Sequence, residues 1–166
     1  DLADASLALW RGEVDRAAVL VRRVESTPAG GLAEVIGERW VVRSAVDLAR
    51  DDRAAALASA RQGLVECAEG DAIAHWRLVL AWWRAAAGVD AVAGSAEAPM
   101  DPPPDPVACV GAEQAALAAT VVAMRERSSL SWAAAVSAWA EVPAPLEALR
   151  CRLAASAEAR DLHELD

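Results

Sequence analysis

The sequence predicts an all-α fold of stacked antiparallel helical hairpins, about eight helices in all. Three observations carry that expectation. Apolar residues recur at spacings of three and four, and no stretch alternates in the way a half-buried strand does. Turn-forming and capping residues fall in the gaps between the apolar stripes. A turn followed five residues later by an alanine returns at steps of 39 and 37 residues, near the period of helical-hairpin repeats.

The elements follow in chain order. Residues 4–24, DASLALWRGEVDRAAVLVRRV, read as a helix, a tight turn at Gly12 and a second helix whose stripe is Val14, Ala17, Val21 and Val24. Thr27-Pro28 and Gly30-Gly31 end it. Leu32, Val35, Val42, Val46 and Ala49 form the next stripe, stopped by Asp51-Asp52, and Leu57, Ala60, Leu64 and Cys67 run up to Gly70-Asp71. Ile73, Trp76, Leu80, Trp83 and Ala87 make the fifth helix. After a break come Val110, Gln114, Leu117, Val121 and Met124, ended by Ser128-Ser129, which suit a helix cap. Trp132, Val136 and Trp139 define the seventh. Pro145 fits the first turn of the eighth, where a missing N–H would be unpaired anyway. Leu146, Leu149, Leu153 and Ala157 give its stripe, and Arg160–Asp166 reads as the start of a ninth helix.

The expected organisation is helical hairpins over residues 1–87, making two and a half repeat units. A Pro-rich acidic loop covers 88–106, and the C-terminal helices of the same domain cover 107–166. The loop holds five prolines, four acids and no base. Prolines 102–104 exclude helix, and the segment offers little apolar surface to bury.

Composition narrows the function classes. A net charge of −9 disfavours direct contact with a phosphate backbone. The longest uncharged stretch, Ser128–Ala140, is shorter than the ~18–20 apolar residues a bilayer requires. No basic segment leads into an apolar one, so no export signal is expected. A start at Asp1 without Met points to a segment of something larger. Cys67, Cys109 and Cys151 are far apart, with no CxxC spacing, and are expected to be reduced packed thiols of a cytoplasmic protein. Forty-three alanines, with no Lys, Asn, Phe or Tyr, reflect a GC-rich coding bias.

The internal offset explains the hairpins. Ala17 follows Gly12 by five residues, Ala56 follows Asp51, and Ala93 follows Gly88. A tight turn needs a residue that tolerates it, and a small residue one helical turn later lets the two helices approach closely. An aromatic before a Gly-acid turn with an alanine beyond it, as in Trp10, Gly12-Glu13 and Ala17, resembles the tetratricopeptide repeat. That resemblance implies a TPR-like α-solenoid. Residues 107–160 carry a second likeness, with Trp132, Trp139, Pro145, Ala148, Arg150, Arg152 and Ala154 as its marks. This stretch is similar to the helical-repeat region of large ATP-dependent LuxR-type bacterial transcriptional regulators. No phosphate loop and no DNA-reading helix lie in these 166 residues.

No catalytic set, metal site or cofactor is expected. Trp10, Trp40, Trp76, Trp132 and Trp139 lie on apolar stripes and read as wedges between helix layers. Trp82 and Trp83 are adjacent, so their rings point ~100° apart and one neighbour cannot cover both. Either their helix is sandwiched on two sides or one ring faces a groove. His75, in register with Leu78 and Trp82, is a groove histidine or a half-buried structural one. His163 sits in HELD without the second His of a metalloprotease helix. Gln114 reads as a buried polar anchor or a contact to the loop. Arg22, Arg23, Arg39, Arg43, Arg50, Arg53, Arg61 and Arg77 form either a surface for an acidic partner or a solvated face.

The groove candidates are therefore His75, Trp82, Trp83, Arg43 and Trp40. The expected role is a non-catalytic protein-interaction or effector-sensing module of a transcriptional regulator. Its partner would be a protein or peptide, another domain of the same parent chain, or a second copy in a homodimer, with no nucleic acid and no membrane. The alternative is a small-molecule receptor with a Trp-lined pocket under the 88–106 loop; an unrecognised enzyme is the third reading.

Overall fold

The computed structural model of the chain describes residues 2–26, 33–67, 71–86 and 111–163. These residues form eight helices and no strand: α1 (Leu2–Trp10), α2 (Val14–Ser26), α3 (Ala33–Ala49), α4 (Arg53–Glu66), α5 (Ala72–Ala86), α6 (Ala112–Glu126), α7 (Ser129–Ala140) and α8 (Pro145–His163). The loop expected over 88–106, the third turn at Gly88 and the cysteine at 109 lie outside the described residues. The chain divides into two compact units, Asp1–Asp105 and Pro106–Asp166.

In the first unit each helix packs on the next, and α1 and α3 also reach the helix two places on. That is the packing of stacked hairpins. The two hairpin turns repeat bond for bond. Glu13 N–H donates to Ala8 O at 2.9 Å and Gly12 N–H to Leu9 O at 3.0 Å; 39 residues later Asp52 N–H donates to Asp47 O and Asp51 N–H to Leu48 O, both at 3.0 Å. This pair of bonds closes a helix C-terminus when the residue after it is left-handed. Gly12 has φ +76° and Asp51 φ +60°. Asp52 then caps α4, its carboxylate accepting from Ala55 N–H at 3.0 Å.

The expected close approach after each turn is present, since Ala17 and Ala56 are both fully buried. Ala17 lies in a core with Ala5, Ala8, Ala18, Val21, Val42 and Val46, mostly small side chains that bring α1, α2 and α3 together. Glycines do the same for α3, α4 and α5. A Cβ on Gly37 would stand 2.6 Å from the Ala74 Cβ, and one on Gly63 would stand 2.6 Å from both Trp40 Cβ and a Leu78 methyl. Ser44 ties α3 to α4 by donating to Ala56 O at 2.8 Å.

In the second unit α7 packs against both α6 and α8. Ser128 caps α7 as expected, accepting from Ser131 N–H at 3.1 Å. The buried indole of Trp139 donates to Thr120 Oγ1 at 2.8 Å, and the Cys151 sulfur lies 3.5 Å from the same hydroxyl. Arg127, left-handed at φ +49°, closes α6 and reaches Glu158 of α8 at 2.9 Å.

Four expectations are corrected. Trp10 is 64% exposed instead of wedged, because α1 ends there and the chain turns away before another helix can cover the ring. The α8 stripe faces out: Leu149 and Leu153 are 49% and 62% exposed, while Cys151 is buried. The Cys151 contact to Thr120 and the Arg127–Glu158 pair set the register of α8, and these use its small and acidic face. The ninth helix is absent as a separate element, since Arg160 to His163 continue α8 without a break. Ile73, expected on the apolar stripe of α5, is 39% exposed.

Candidate functional site

The five groove candidates all lie in the first unit, at three different places. Trp40 and His75 lie toward one end of the α3–α5 packing. The Trp40 indole donates to Glu66 Oε2 at 2.8 Å, with the Arg39 guanidinium 4.9 Å from its ring centroid. Glu66 also accepts from Arg39 and Gln62. The Gln62 and Trp40 donors, with the Arg39 charge, hold its carboxyl below the usual carboxylate range. His75 is half-buried on α5, and its buried Nε2 finds no partner among the described residues; burial pushes its pKa below the ordinary histidine value. Cys67 lies on the same side, close to Gly37, and burial together with Asp71 pushes its thiol pKa up, away from reactivity.

Trp82 and Trp83 lie toward the other end, where α5 meets Leu48 of α3 and Ala56, Leu57 and Ala60 of α4. Their rings meet edge to face, with centroids 5.0 Å apart. Trp82 is 5% exposed and Trp83 is half-buried. Residues 40 and 48 are eight apart on α3, about 12 Å of helix, so the tryptophans do not line one surface. The helix that carries Trp82 is packed by both α3 and α4.

Arg43 points elsewhere, into the seam between α2 and α3. There a cleft of about 260 Å³ is lined by Ala18, Val21, Arg22 and Glu25 of α2, by Arg43, Val46 and Asp47 of α3, and by Arg50 just past its end. On each side these are positions i, i+3, i+4 and i+7, one continuous face. Arg43 bridges Glu25 at 2.6 Å and Asp47 at 3.2 Å. Asp47, only 7% exposed, also accepts from Ser59 at 2.8 Å, so its charge is satisfied from two helices. Arg50 pairs with Asp15, whose side chain is almost wholly in water. The cleft is smaller than the roughly 300–1,000 Å³ that encloses a drug-sized ligand.

The sequence reading named Arg43 and the arginine group but not Val21, Val46 or Asp47 as parts of one cleft. The signal was the 39-residue offset, applied beyond the turns. It places Ala18, Val21, Arg43 and Val46 of the first seam opposite Leu57, Ala60, Trp82 and Ala85 of the second. The second set is an apolar core cluster, with Trp82 filling the space.

Among the described residues no three His, Cys, Asp or Glu side chains gather as a metal site, and no helix is long and apolar enough to cross a membrane. Comparison with known proteins finds no matching family model, no matching curated protein and no matching solved structure.

Proposed function

We propose that this chain is a non-catalytic, cytoplasmic helical-repeat module that holds a peptide or protein partner. We place it within a signal-responsive bacterial transcriptional regulator of the LuxR-type ATP-dependent class. One observation supports the module reading: two hairpins with identical turn bonding meet at a seam whose rim is charged and whose floor is apolar. Repeat stacks bind through such seams and surfaces, with affinity from a few anchors and no reacting group. The regulator part rests on the resemblance carried by Trp132, Trp139, Pro145 and the alanine–arginine pattern after them.

The test is selection of a displayed library of random twelve-residue peptides on the immobilised chain. The expected result is a consensus whose synthetic peptide binds in calorimetry and is recovered uncleaved. Failure to enrich any consensus over bare resin removes the module reading. For the regulator part, deletion of the encoding gene should change a defined set of transcripts; an unchanged transcript profile removes it.

A further inference from the structure

We infer that the outer face of α1 is an interaction surface whose occupant is a further helical hairpin of the same repeat. This hairpin lies ahead of α1 in the polypeptide and carries an acidic residue for Arg11. The inference stands on the repeat packing alone and goes beyond the proposed function, whatever partner the module holds.

Two independent observations carry it. The first is apolar. Val42 and Val46 of α3 are buried against the hairpin before them, in one core with Ala17, Ala18 and Val21 of α2. At the matching positions of α5, 39 residues on, Ala81 and Ala85 pack with Leu57 and Ala60 of α4. At the matching positions of α1, 39 residues back, stand Ala3 and Leu7. Ala3 is exposed, Leu7 is 45% exposed, and Trp10, on the next turn of the same face, is 64% exposed. The places that α3 and α5 cover with the preceding hairpin are therefore open on α1. The free end of a repeat stack is kept soluble by a polar outer face. Here α1 turns a leucine and a tryptophan outward.

The second observation is charge. Arg50, just past the end of α3, reaches back to Asp15 on α2 at 2.8 Å, so one hairpin is pinned to the next by an ion pair. The residue 39 before Arg50 is Arg11, just past the end of α1. Its side chain is exposed and has no ion pair among the described residues. The basic half of the pin is repeated without its acidic half. A hairpin that completes it offers an acid in the place of Asp15 and small apolar residues in the places of Ala17, Ala18 and Val21. A second copy of the chain does not present that surface. Its α2 is covered by its own α3, and its α4 has Ala54 where α2 has Asp15. A tandem array supplies the missing hairpin directly ahead of α1.

The test is hydroxyl-radical footprinting read residue by residue. It compares the 166-residue chain with the polypeptide lengthened by the residues its gene encodes ahead of Asp1. Leu7 and Trp10 should oxidise about threefold more slowly, or slower still, in the longer polypeptide, because a packed interface excludes water from its anchors. Arg11→Glu breaks no ion pair of the described fold and sets two acids against each other across the interface. It should restore most of the oxidation in the longer polypeptide and leave the circular dichroism spectrum of the 166-residue chain unchanged. Equal oxidation in the two polypeptides overturns the inference, as does a gene that encodes no helical hairpin ahead of Asp1. Protection that Arg11→Glu leaves intact also overturns it. So does protection already present in the 166-residue chain together with a dimer in sedimentation velocity, which would make the occupant a second copy.

Discussion

Gly63→Ala is a substitution that helix propensity says should stabilise and that packing says should not. Gly63 lies inside α4, where Ala in place of Gly is worth roughly 1 kcal/mol to the helix. The new methyl carbon would stand 2.6 Å from Trp40 Cβ and 2.6 Å from Leu78 Cδ2. Neither neighbour can turn away, because a Cβ is fixed to its backbone and Leu78 is fully buried among other side chains. Carbon atoms sit comfortably at about 3.5–4.0 Å, so α3 and α4 must part by about 1 Å. Overpacking of this kind costs about 1–3 kcal/mol, and more against backbone-anchored atoms. The clash wins, leaving a net loss of about 1–2 kcal/mol. For a helical unit of this size that lowers the Tm by about 5–10 °C in a melt followed at 222 nm. Ala58→Gly, on the exposed face of the same helix, serves as control and should lose only the propensity value. A Gly63→Ala melt shifted upward by a few degrees would refute the close approach of α3, α4 and α5.

Three further outcomes are expected. Asp51→Gly should stabilise by about 0.5–1 kcal/mol in denaturant titration, because φ +60° strains a residue with a Cβ, and the Arg53 contact it removes is exposed; Gly12→Ala, at the matching position, should destabilise by about as much. Thr120→Val should cost about 1–3 kcal/mol, since it leaves the buried Trp139 N–H without its acceptor while keeping the shape of the site. The folded chain holds His75 below its ordinary pKa of 6.5, so the unfolded state binds the extra proton first. Stability should therefore be full above neutral pH and fall as pH drops through 6.5 toward the lowered folded value. His75→Gln should flatten this window, and melts at pH 7.5 and 5.5 that keep their difference in the variant would reject the assignment. Loss arising from Glu66 belongs to a separate window, below the ordinary carboxylate range of about 4.5.

The all-α class and the hairpin turns were legible because they are local. A turn is decided by the residue that must go left-handed and by the carbonyls within five residues of it, all of which the sequence shows together. Gly12, Asp51-Asp52, Ser128 and Pro145 act where their chemistry put them. The face a helix buries is a different matter. Periodicity says which residues share a face, but the covering neighbour decides which of two faces goes inside. On α8 the leucines at 149 and 153 looked like the inner face, yet Cys151 and Glu158 hold it, because Thr120 on α6 and Arg127 at its C-cap offer them specific contacts. A leucine face gains roughly in proportion to the apolar area covered, so it loses its claim when no helix lies over it. Trp10 fails for the same reason, placed at the last residue of α1.

The site candidates divide along the same line. Tryptophan and histidine drew attention as rare types, and rarity does not say whether a ring is covered. Trp82 is covered because its seam is lined with Leu57, Ala60 and Ala85, all apolar. Arg43, at the matching position, faces Glu25 and Asp47, and a guanidinium held by two carboxylates cannot sink into a closed core without stranding charge. Arg43 therefore stays at the rim of its seam, part-exposed, where Trp82 is buried. A repeat that copies its turns bond for bond thus changes one seam residue from a buried ring to a guanidinium paired at the rim, above a floor of Ala18, Val21 and Val46 that stays buried.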